Sequence, residues 1–455
     1  MLNAGQEAAY QAIEQGKSIF LTGSGGTGKS FLLNLLYTLL HKQTGRSVAL
    51  TALTGCASLL LHPKAKTIHS WAGIGLGNDP IAMIIANVKK SRKACSRWKG
   101  TDLLVIDEIS MMTPELFEKL DQVGRKIRRN DATPFGGMQL VLVGDFYQLP
   151  PIYKSSETTA FVFESPLWKD LRLTTCELTE IVRQKDAEFQ KVLNEARKGE
   201  LTKASLRILS KRMGLDYKSE MIQPTMLFTR RAQVDSINTE HLKKLTTARI
   251  SFKVTTVFEP DQRSCDPLVQ AAIAKLDMNS SYTPELILAI GAQVMLVTNL
   301  KPESGLVNGT RGVVIGFEAA LSEEKDKDKD KDKDKITDPN LLLPIVEFRN
   351  GKRIPINMAT WDVPDIQGVK RQQIPLKLAY AITIHKSQGA TLDCALIDVG
   401  GRTFEFGQAY VALSRVKDLE SLYIHDLDPA AFRAHPKVKE FYGSGAINKL
   451  IVAHK

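Results

Sequence analysis

The sequence predicts an α/β protein that contains two parallel β-sheets, with a β-rich insertion within the second α/β region. Short apolar runs alternate with helical patterns in two blocks, which is typical of parallel sheets whose strands are joined by helices. Between the strands of the second block, the apolar runs instead follow the pattern of antiparallel strands in a small barrel. The predicted strands are residues 19–21, 48–50, 103–106 and 140–143 in the first block, residues 226–228, 395–397 and 422–424 in the second, and residues 293–297, 312–317 and 345–348 in the insertion.

Length and composition are those of an ordinary globular protein. The 455 residues are enough for about two to four domains, and 43% of them are hydrophobic while 24% are charged. The longest apolar run, residues 31–40, is too short to span a bilayer, and the start lacks a signal-peptide pattern, so we expect no membrane partner and no secretion. The five cysteines never have C-x-x-C spacing, which argues against a disulfide framework, a zinc site and an iron–sulfur cluster and favours a reducing compartment.

Residues 23–30, Gly-Ser-Gly-Gly-Thr-Gly-Lys-Ser, match the phosphate-binding pattern G-x-x-x-x-G-K-[ST]. The motif follows the first predicted strand and precedes a helical run, which is the context that the pattern requires. Its glycines let backbone N–H groups surround phosphates, while Lys29 provides a charge for the outer phosphates and Ser30 a hydroxyl for Mg²⁺. The sequence therefore predicts a site for a nucleoside triphosphate. The other predicted nucleotide-binding residues of this loop are Gly23, Gly25, Gly26, Thr27 and Gly28.

Two carboxylates, Asp107 and Glu108, follow the predicted strand at residues 103–106. The carboxyl ends of strands are where parallel α/β sheets place their ligands. We expect Asp107 to hold Mg²⁺ and Glu108 to activate the attacking water as a general base. Together with the phosphate-binding loop, this acidic pair predicts Mg²⁺-dependent hydrolysis rather than nucleotide storage.

A further strand, residues 140–143, ends in Gly-Asp-Phe-Tyr-Gln-Leu-Pro-Pro at residues 144–151. We predict that Gln148, at a strand end beside the phosphate site, senses the γ-phosphate. A turn fixed by the two prolines is the alternative, and it explains the prolines but neither the Gly-Asp pair nor Gln148.

The net charge of +11 points to a polyanionic partner. Basic residues cluster at residues 89–93 and 125–129, although each cluster alone is explained equally well by a solvated helix face. The Lys-Asp alternation at residues 325–335 contains six lysines and five aspartates and so contributes only +1. Because it has no apolar residue, we expect a solvated loop there, without an assigned role.

Taken together, these motifs resemble those of Pif-type DNA helicases, which belong to group B of helicase superfamily one. The resemblance extends from about Leu2 to about Tyr442. It implies two RecA-like P-loop NTPase domains with ATP in the cleft between them, single-stranded DNA crossing both domains, and 5′→3′ movement. The segments that carry it are residues 107–111, 116–120, 134–140 and 144–151, and, near the other end, residues 383–393 (Thr-Ile-His-Lys-Ser-Gln-Gly-Ala-Thr-Leu-Asp) and 407–415 (Gly-Gln-Ala-Tyr-Val-Ala-Leu-Ser-Arg).

The resemblance also implies domain boundaries. A first RecA-like domain is expected at residues 1–183, with a small wedge subdomain inserted at about residues 64–98. The second RecA-like domain is expected to combine residues 184–248 and 376–455. Residues 249–375 are then an inserted β-barrel of the Src-homology-3-like kind, which carries the charged loop 323–335.

Nucleotide-site roles follow from the resemblance residue by residue. Gln6 matches the family's adenine-reading glutamine, Gly389 its nucleotide-contacting glycine, and Arg183 and Arg415 its two arginine fingers. Guanidinium groups brought across a cleft neutralise the charge that builds on the transferred phosphoryl group. Without the surrounding motifs, a surface salt bridge is the better explanation for either arginine. The expected catalytic residues are thus Lys29, Glu108, Gln148, Arg183 and Arg415.

The resemblance further implies three DNA-contacting segments. Hydroxyls and backbone N–H groups would contact phosphates there, and aromatic or imidazole rings would lie against bases. For His69 and Trp71, ordinary packing at a domain edge is an alternative. The expected DNA-binding residues are Thr54, Gly55, His69, Ser70, Trp71, Thr383, His385 and Lys386.

The function that this resemblance implies is that of an ATP-dependent 5′→3′ DNA helicase acting on single-stranded and forked DNA. We expect a monomer on DNA and a role in replication, repair, recombination or telomere maintenance, with G-quadruplexes and RNA–DNA hybrids as further candidate substrates. Its location would be the nucleus or mitochondrion in a eukaryote, and otherwise the cytoplasm. Two alternatives stay open: a nucleotide-gated translocase or remodeller that does not separate strands, and an RNA-directed helicase.

Overall fold

The computed structural model describes residues 2–43, 45–153, 159–217, 222–259, 266–301, 304–319, 342–363, 366, 368–401 and 403–443. The chain divides into two compact units, of which the first combines Met1–Leu215 with Thr383–Lys455 and the second is Asp216–Ile382. The predicted Lys-Asp loop lies outside the described residues.

A six-stranded, all-parallel sheet forms the centre of the first unit, with strand order β3-β2-β4-β5-β1-β6. Every residue of β1, β4 and β5 is buried, as their apolar sequences predict. Because β5 lies between β1 and β4, the segments that follow these three strands meet at one edge of the sheet. The strands are β1 (Ile19–Gly23), β2 (Val48–Ala52), β3 (Lys66–Thr67), β4 (Leu103–Asp107), β5 (Gln139–Val143) and β6 (Thr174–Leu178).

Helices and short turns cover this sheet, and several begin at side-chain caps such as Asn3, Thr54 and Thr113. Short 3₁₀ turns occur at Ile109–Met111, Pro134–Gly136 and Val162–Glu164. The helices are α1 (Ala4–Glu14), α2 (Lys29–Gln43), α3 (Gly55–Leu61), α4 (Ile68–Ala72), α5 (Ile81–Lys90), α6 (Arg92–Gly100), α7 (Pro114–Arg128), α8 (Pro166–Asp170), α9 (Ala187–Lys198) and α10 (Lys203–Ser210).

The basic cluster at residues 125–129 lies at the end of α7 and is partly used within the protein. Arg125 pairs with Asp121, and Arg128 donates to the carbonyl oxygens of Trp98 and Gly136. These contacts favour the structural explanation for this cluster over a nucleic-acid patch.

The second unit contains a five-stranded antiparallel sheet with strand order β14-β13-β12-β11-β17. A two-stranded pair, β8 with β10, and a three-stranded sheet, β15-β16-β9, accompany it. A partly buried ion pair joins Arg371 of β16 to Asp277 of α12 at 2.6 Å. The elements are β7 (Thr225–Phe228), α11 (Arg231–Lys244), β8 (Ile250–Lys253), β9 (Thr255–Phe258), α12 (Pro267–Asn279), β10 (Glu285–Leu288), β11 (Gln293–Leu296), β12 (Arg311–Ala319), β13 (Leu342–Phe348), β14 (Arg353–Pro355), β15 (Ala359–Asp362), β16 (Val369–Gln373) and β17 (Leu376–Leu378).

The chain then returns to the first unit through β18 (Ala381–Thr383). Strands β19 and β20 pair in parallel there, as the second apolar block predicts. The last helix packs on the aromatic face of the six-stranded sheet, where the ring of Phe441 stacks on that of Phe163 at 4.2 Å. These elements are α13 (Ile384–Ser387), β19 (Ala395–Val399), α14 (Gln408–Leu413), β20 (Leu422–Leu427), a 3₁₀ turn at Pro429–Ala431 and α15 (Pro436–Gly443).

Each strand predicted from an apolar run is confirmed, and the mixed α/β architecture with a parallel sheet fits a RecA-like helicase fold. Strand β6 was not predicted, because Thr-Thr-Cys-Glu-Leu lacks a continuous apolar run. A search of the described part of the chain for a helix long and apolar enough to cross a membrane finds none.

Candidate active site

The phosphate-binding loop connects β1 to α2, as predicted, and Lys29 begins the helix. The Lys29 Nζ donates to the carbonyl oxygens of Gly23 at 2.7 Å and Ser24 at 2.9 Å. Burial lowers the pKa of Lys29, while Asp145, Glu108 and Asp107 act in the opposite direction. The ammonium therefore lies at the centre of the loop, surrounded by carboxylates.

Two glycines of the loop are required by their surroundings. Gly26 has φ +88°, and a Cβ there would lie 2.7 Å from both the Arg183 Cβ and the Gln184 Oε1. Gly28 has φ +82°, and its Cβ would lie 2.5 Å from the Gln6 Nε2. A side chain at either position would be strained by the backbone and would also displace a residue that packs on the loop.

Gln6 is fixed at the start of α1 and touches the loop. It forms a capping box with Asn3, in which each side chain accepts from the other residue's backbone N–H. Its Nε2 also donates to the Gly28 carbonyl at 3.5 Å. The predicted adenine reader is thus next to the phosphate-binding loop.

Asp107 is the last residue of β4, and Glu108 follows it with a left-handed backbone, φ 58° and ψ 40°. Non-glycine residues rarely adopt this conformation, and it is concentrated at functional sites. Burial, and then the neighbouring Glu108, raise the pKa of Asp107 to about 7, and Lys29 opposes that shift. The Glu108 Oε2 accepts a hydrogen bond at 2.9 Å from the Nε2 of Gln388, a residue 280 positions later in the chain.

Gln148 is buried in the segment that follows β5. The same segment contains Asp145, which is fully buried and accepts two hydrogen bonds from the Arg197 guanidinium, at 2.8 and 2.9 Å. Arg197 lies over the ring of Tyr147, which stacks on Tyr442 of α15 at 4.9 Å. This buried ion pair explains the Gly-Asp pair that a proline turn does not, and the sequence analysis did not find Arg197.

The two predicted arginine fingers are not surface salt bridges. The Arg415 side chain is 2% exposed, and its Nη1 donates to the carbonyl oxygens of Ser387 at 3.1 Å and Ala390 at 3.3 Å. Burial, and then repulsion by Arg183, lower the pKa of Arg415 to about 10. The Arg183 Nη1 donates to the Ser414 carbonyl at 3.2 Å. The buried Arg415 guanidinium and the half-buried Arg183 guanidinium are therefore close enough to repel each other.

Tyr410 is a second residue that the sequence analysis missed. Its buried hydroxyl accepts a hydrogen bond at 2.8 Å from the backbone N–H of Gly25 in the phosphate-binding loop. Burial raises the pKa of Tyr410 to about 12, so the hydroxyl is neutral at ordinary pH. Helix α14 thus contacts the tip of the loop directly.

The phosphate-binding loop, the acidic pair, Gln148 and the two arginines surround one cavity of about 300 Å³. Of the predicted nucleotide-site residues, Gln6 and Gly23 do not line it. The exposed side chains of Phe31 and Val182 also lie at this cavity. Its predicted lining residues are Gly25, Gly26, Thr27, Gly28, Lys29, Ser30, Asp107, Glu108, Gln148, Arg183, Gly389 and Arg415.

The cavity contains the donors that Mg²⁺ binding to a nucleotide needs. In such sites the protein provides one or two oxygen ligands and the phosphates provide others. The Ser30 hydroxyl and the Asp107 carboxylate fit this pattern, and the described residues contain no cluster of three or more His, Cys, Asp or Glu side chains that would form an all-protein metal site.

The predicted DNA-contacting residues lie at the start of three helices. Thr54 caps α3, Thr67 caps α4 and Thr383 caps α13, each accepting a backbone N–H. Lys386 is exposed, and burial lowers the pKa of His385 so that its imidazole is neutral near pH 7. Gly55, His69 and Ser70 are half-buried on α3 and α4.

Trp71 is placed differently from its neighbours. Its side chain is 4% exposed and packs on Trp98, with ring centroids 4.6 Å apart. The Arg97 Nε donates to the Trp71 carbonyl at 2.6 Å. This arrangement fits the packing alternative that the sequence left open, and a DNA contact by Trp71 stays a prediction.

Comparison with known proteins gives one consistent result. A family profile described as PIF1-like helicase matches residues 1–207, and a second, described as DNA helicase Pif1, 2B domain, matches residues 274–317. The human ATP-dependent DNA helicase PIF1 is 39% identical over 445 residues, which cover 97% of this chain. This chain spans 64% of the length of that human relative.

Solved structures agree with these matches. The crystal structure of Pif1 helicase from Candida albicans is 34% identical, covers 98% of this chain and 99% of its own, and superposes with a TM-score of 0.78. The structure of Pif1 helicase from Bacteroides in complex with ADP-AlF3 and ssDNA is 26% identical, covers 98% of this chain and 97% of its own, and has a TM-score of 0.66.

Proposed function

This chain belongs to the PIF1-like helicase family, and from that premise we propose that it is an ATP-dependent DNA helicase that moves 5′→3′ on single-stranded DNA. The observation that carries the proposal is the cavity in which the phosphate-binding loop and the acidic pair meet Gly389 and Arg415 from the far end of the chain. A nucleotide bound there contacts two segments that are distant in sequence. Hydrolysis can therefore change how those segments sit relative to each other.

The residues of the cavity fit ATP hydrolysis in named roles. Lys29 and the loop N–H groups bind the phosphates, and Glu108 accepts a proton from the attacking water. Arg183 and Arg415 stabilise the charge of the transferred phosphoryl group, and Gln148 senses its presence. Mg²⁺, held by Ser30 and Asp107 when bound, would supply charge neutralisation between the phosphates.

DNA binding is proposed at the starts of α3, α4 and α13. Except for Thr383, which is buried, their polar side chains are exposed or half-buried, and these side chains and the net charge of +11 support contacts with a phosphate backbone. The Bacteroides relative, solved with both ADP-AlF3 and single-stranded DNA, supports the same partners for this chain. We propose a monomer on a single strand, and a role in genome maintenance in the nucleus or mitochondrion if the source is eukaryotic.

The proposed domain organisation keeps the boundaries that the resemblance implies. Two RecA-like domains, residues 1–183 and residues 184–248 with 376–455, would enclose the nucleotide. The antiparallel sheet formed by β11 to β14 and β17 supports an inserted barrel at residues 249–375, for which we propose a Src-homology-3-like fold. Forked duplexes, G-quadruplexes and RNA–DNA hybrids are the proposed substrates.

The experiment that tests this function compares unwinding of duplexes that carry a 5′ or a 3′ single-stranded tail. We expect ATP-dependent unwinding from the 5′ tail and ATPase activity that single-stranded DNA stimulates strongly. Lys29→Ala should abolish hydrolysis and unwinding while leaving DNA binding measurable, because the ammonium lies at the centre of the phosphate-binding loop. Equal unwinding from the 3′ tail would contradict the polarity, and an active Lys29→Ala variant would contradict the site.

Two further assays separate the alternatives. A translocase that does not separate strands would move along single-stranded DNA, displacing a bound label from its end, but leave both tailed duplexes intact. An RNA-directed enzyme would be stimulated more by RNA than by DNA of equal length.

A further inference from the structure

Helix α13 contains two of the predicted DNA-contacting residues, His385 and Lys386, and is capped by a third, Thr383. It ends at a glutamine that contacts the predicted general base. Gln388 is the C-cap residue of α13, and its backbone N–H donates to the His385 carbonyl. Its side-chain Nε2 donates to the Glu108 Oε2 at 2.9 Å. A single residue thus belongs to a DNA-contacting helix and to the hydrolytic site.

We propose that Gln388 is a positioning residue through which single-stranded DNA bound at α13 orients Glu108 for hydrolysis. This inference rests on the proposed function, because it assumes ATP hydrolysis that DNA stimulates. In this proposal, the hydrogen bond from Gln388 to Glu108 couples DNA binding at α13 to activation of the attacking water.

The position of Glu108 makes such support necessary. Its left-handed backbone is disfavoured for a residue with a side chain and persists only when the surroundings fix it. A carboxylate on a flexible two-carbon side chain must also be held in the productive direction to act as a base. The amide of Gln388 holds Oε2, and Gly389 lies beside Oε1, where a Cβ would be 3.6 Å away, so the segment that follows α13 is next to both oxygens.

The turn that contains Gln388 is joined to α13 and to Arg415 by hydrogen bonds. The Ser387 hydroxyl donates to the Ile384 carbonyl at 2.7 Å within the helix. Arg415 donates to the carbonyl oxygens of Ser387 and Ala390, on either side of Gln388. A DNA phosphate or base that fixes α13 through Lys386 or His385 therefore also fixes the residues that reach Glu108 and the phosphates.

The burial of Gln388 indicates that its amide N–H is kept for this purpose. The side chain is 4% exposed, and its Oε1 has no hydrogen-bond partner among the described residues. Burying an unpaired amide oxygen is unfavourable. An apolar residue would pack there without this cost. The need for an N–H donor to Glu108 explains why a glutamine occupies the position.

The test uses Gln388→Met in the full chain, because methionine keeps the length of the side chain and removes the donor. We expect the ATPase turnover number at saturating single-stranded DNA to fall about 10- to 100-fold, as for loss of a hydrogen bond to a charged group. Turnover without DNA should fall by a smaller factor, because α13 is then not fixed by DNA, and the Kd for single-stranded DNA should stay within about twofold, since Gln388 itself is not among the residues expected to contact DNA. Gln15→Met, the same change at the exposed C-cap of α1, is the matched control and should behave like the unaltered protein.

The readouts separate positioning from a merely structural role. A general loss of structure in Gln388→Met would lower the thermal unfolding midpoint and weaken DNA binding. In that case Gln388→Glu is the second test variant, since it keeps the size of the side chain and replaces the donor by a carboxylate that repels Glu108. Unchanged DNA-stimulated turnover in both variants, or an equal loss with and without DNA, would overturn the inference. If the unaltered protein shows no DNA-stimulated ATPase, the proposed function fails instead, independently of these variants.

Discussion

The nucleotide cavity has two walls that are attached to the protein in different ways. The first wall, residues 23–30 with Asp107, Glu108 and Gln148, follows directly from buried strands of the six-stranded sheet. The second wall, residues 387–390 and 410–416, forms side-chain hydrogen bonds to the first wall and to Arg183 and Gln184, which pack on the phosphate-binding loop. These join Tyr410 to Gly25, Gln388 to Glu108, Arg183 to Ser414 and Gln184 to Val416.

From this difference we expect the second wall to move relative to the first. Strands buried on both faces keep the phosphate-binding loop and the acidic pair in place, since shifting them would disrupt a packed core. Four polar contacts, worth about 0.5–1.5 kcal/mol net between neutral groups and about 1.5–3 kcal/mol where one group is charged, are few enough to break and re-form within a catalytic cycle. We therefore expect changes in the first wall to affect nucleotide binding and hydrolysis together, and changes in the second wall to affect hydrolysis and its response to DNA.

The largest effect that would sharpen this comparison is expected for Arg415→Ala. Removing an arginine finger lowers turnover by about 10³- to 10⁵-fold in related chemistry. ATP affinity, measured by equilibrium binding of a fluorescent analogue, should change by less than about tenfold, in contrast to Lys29→Ala. Arg212→Ala is the matched control, because that guanidinium also donates to backbone carbonyl oxygens but does not line the cavity. Near-normal turnover in Arg415→Ala would show that the second wall does not contribute to hydrolysis through this residue.

A second prediction concerns the stability of the first wall. Arg197→Met would leave Asp145 as an uncompensated charge with no exposure, which costs about 3–5 kcal/mol in comparable buried pairs. The unfolding midpoint in urea should fall clearly, and the double variant Asp145→Asn with Arg197→Met should recover much of the loss. An unaltered midpoint in the single variant would show that this ion pair does not hold the segment that positions Gln148.

The smallest effect is expected for Tyr410→Phe. It removes the acceptor of the Gly25 N–H while keeping the ring, so the joined state of the two walls loses roughly 1 kcal/mol. DNA-stimulated turnover should fall about 5- to 10-fold with little change in ATP affinity. Tyr423→Phe, which keeps the ring over which Arg212 lies, is the control. A larger loss of ATP affinity than of turnover would show that Tyr410 acts in nucleotide binding, as the first wall does, and would contradict this prediction.

The sequence predicts the first wall well because strand, glycine loop and carboxylates follow one another in the chain and their chemistry is local. It predicts the identity of Arg415, Gly389 and the α13 residues only through resemblance, since nothing local links them to residue 29. It does not predict Arg197, Tyr410 or Gln388 as site residues. Their roles depend on long-range contacts, such as the 280-residue separation between Gln388 and Glu108, and on burial, neither of which a local pattern contains.

Trp71 illustrates the same limit in the opposite direction. Its position in a segment that resembles a DNA-contacting loop predicts base stacking, whereas the fold packs its ring on Trp98. An aromatic residue serves either purpose equally well from sequence alone, because both depend on the same apolar ring.

The most direct measurement is a crystal structure of this protein with ADP, aluminium fluoride, Mg²⁺ and single-stranded DNA. The account predicts guanidinium nitrogens of Arg183 and Arg415 within about 3 Å of the fluoroaluminate, opposite Lys29 and Glu108, with the DNA in contact with α13. A nucleotide held by residues 23–30, Asp107 and Glu108 alone would contradict it, with the Arg415 guanidinium still donating to its present partners, Val411, Ser414, Ser387 and Ala390.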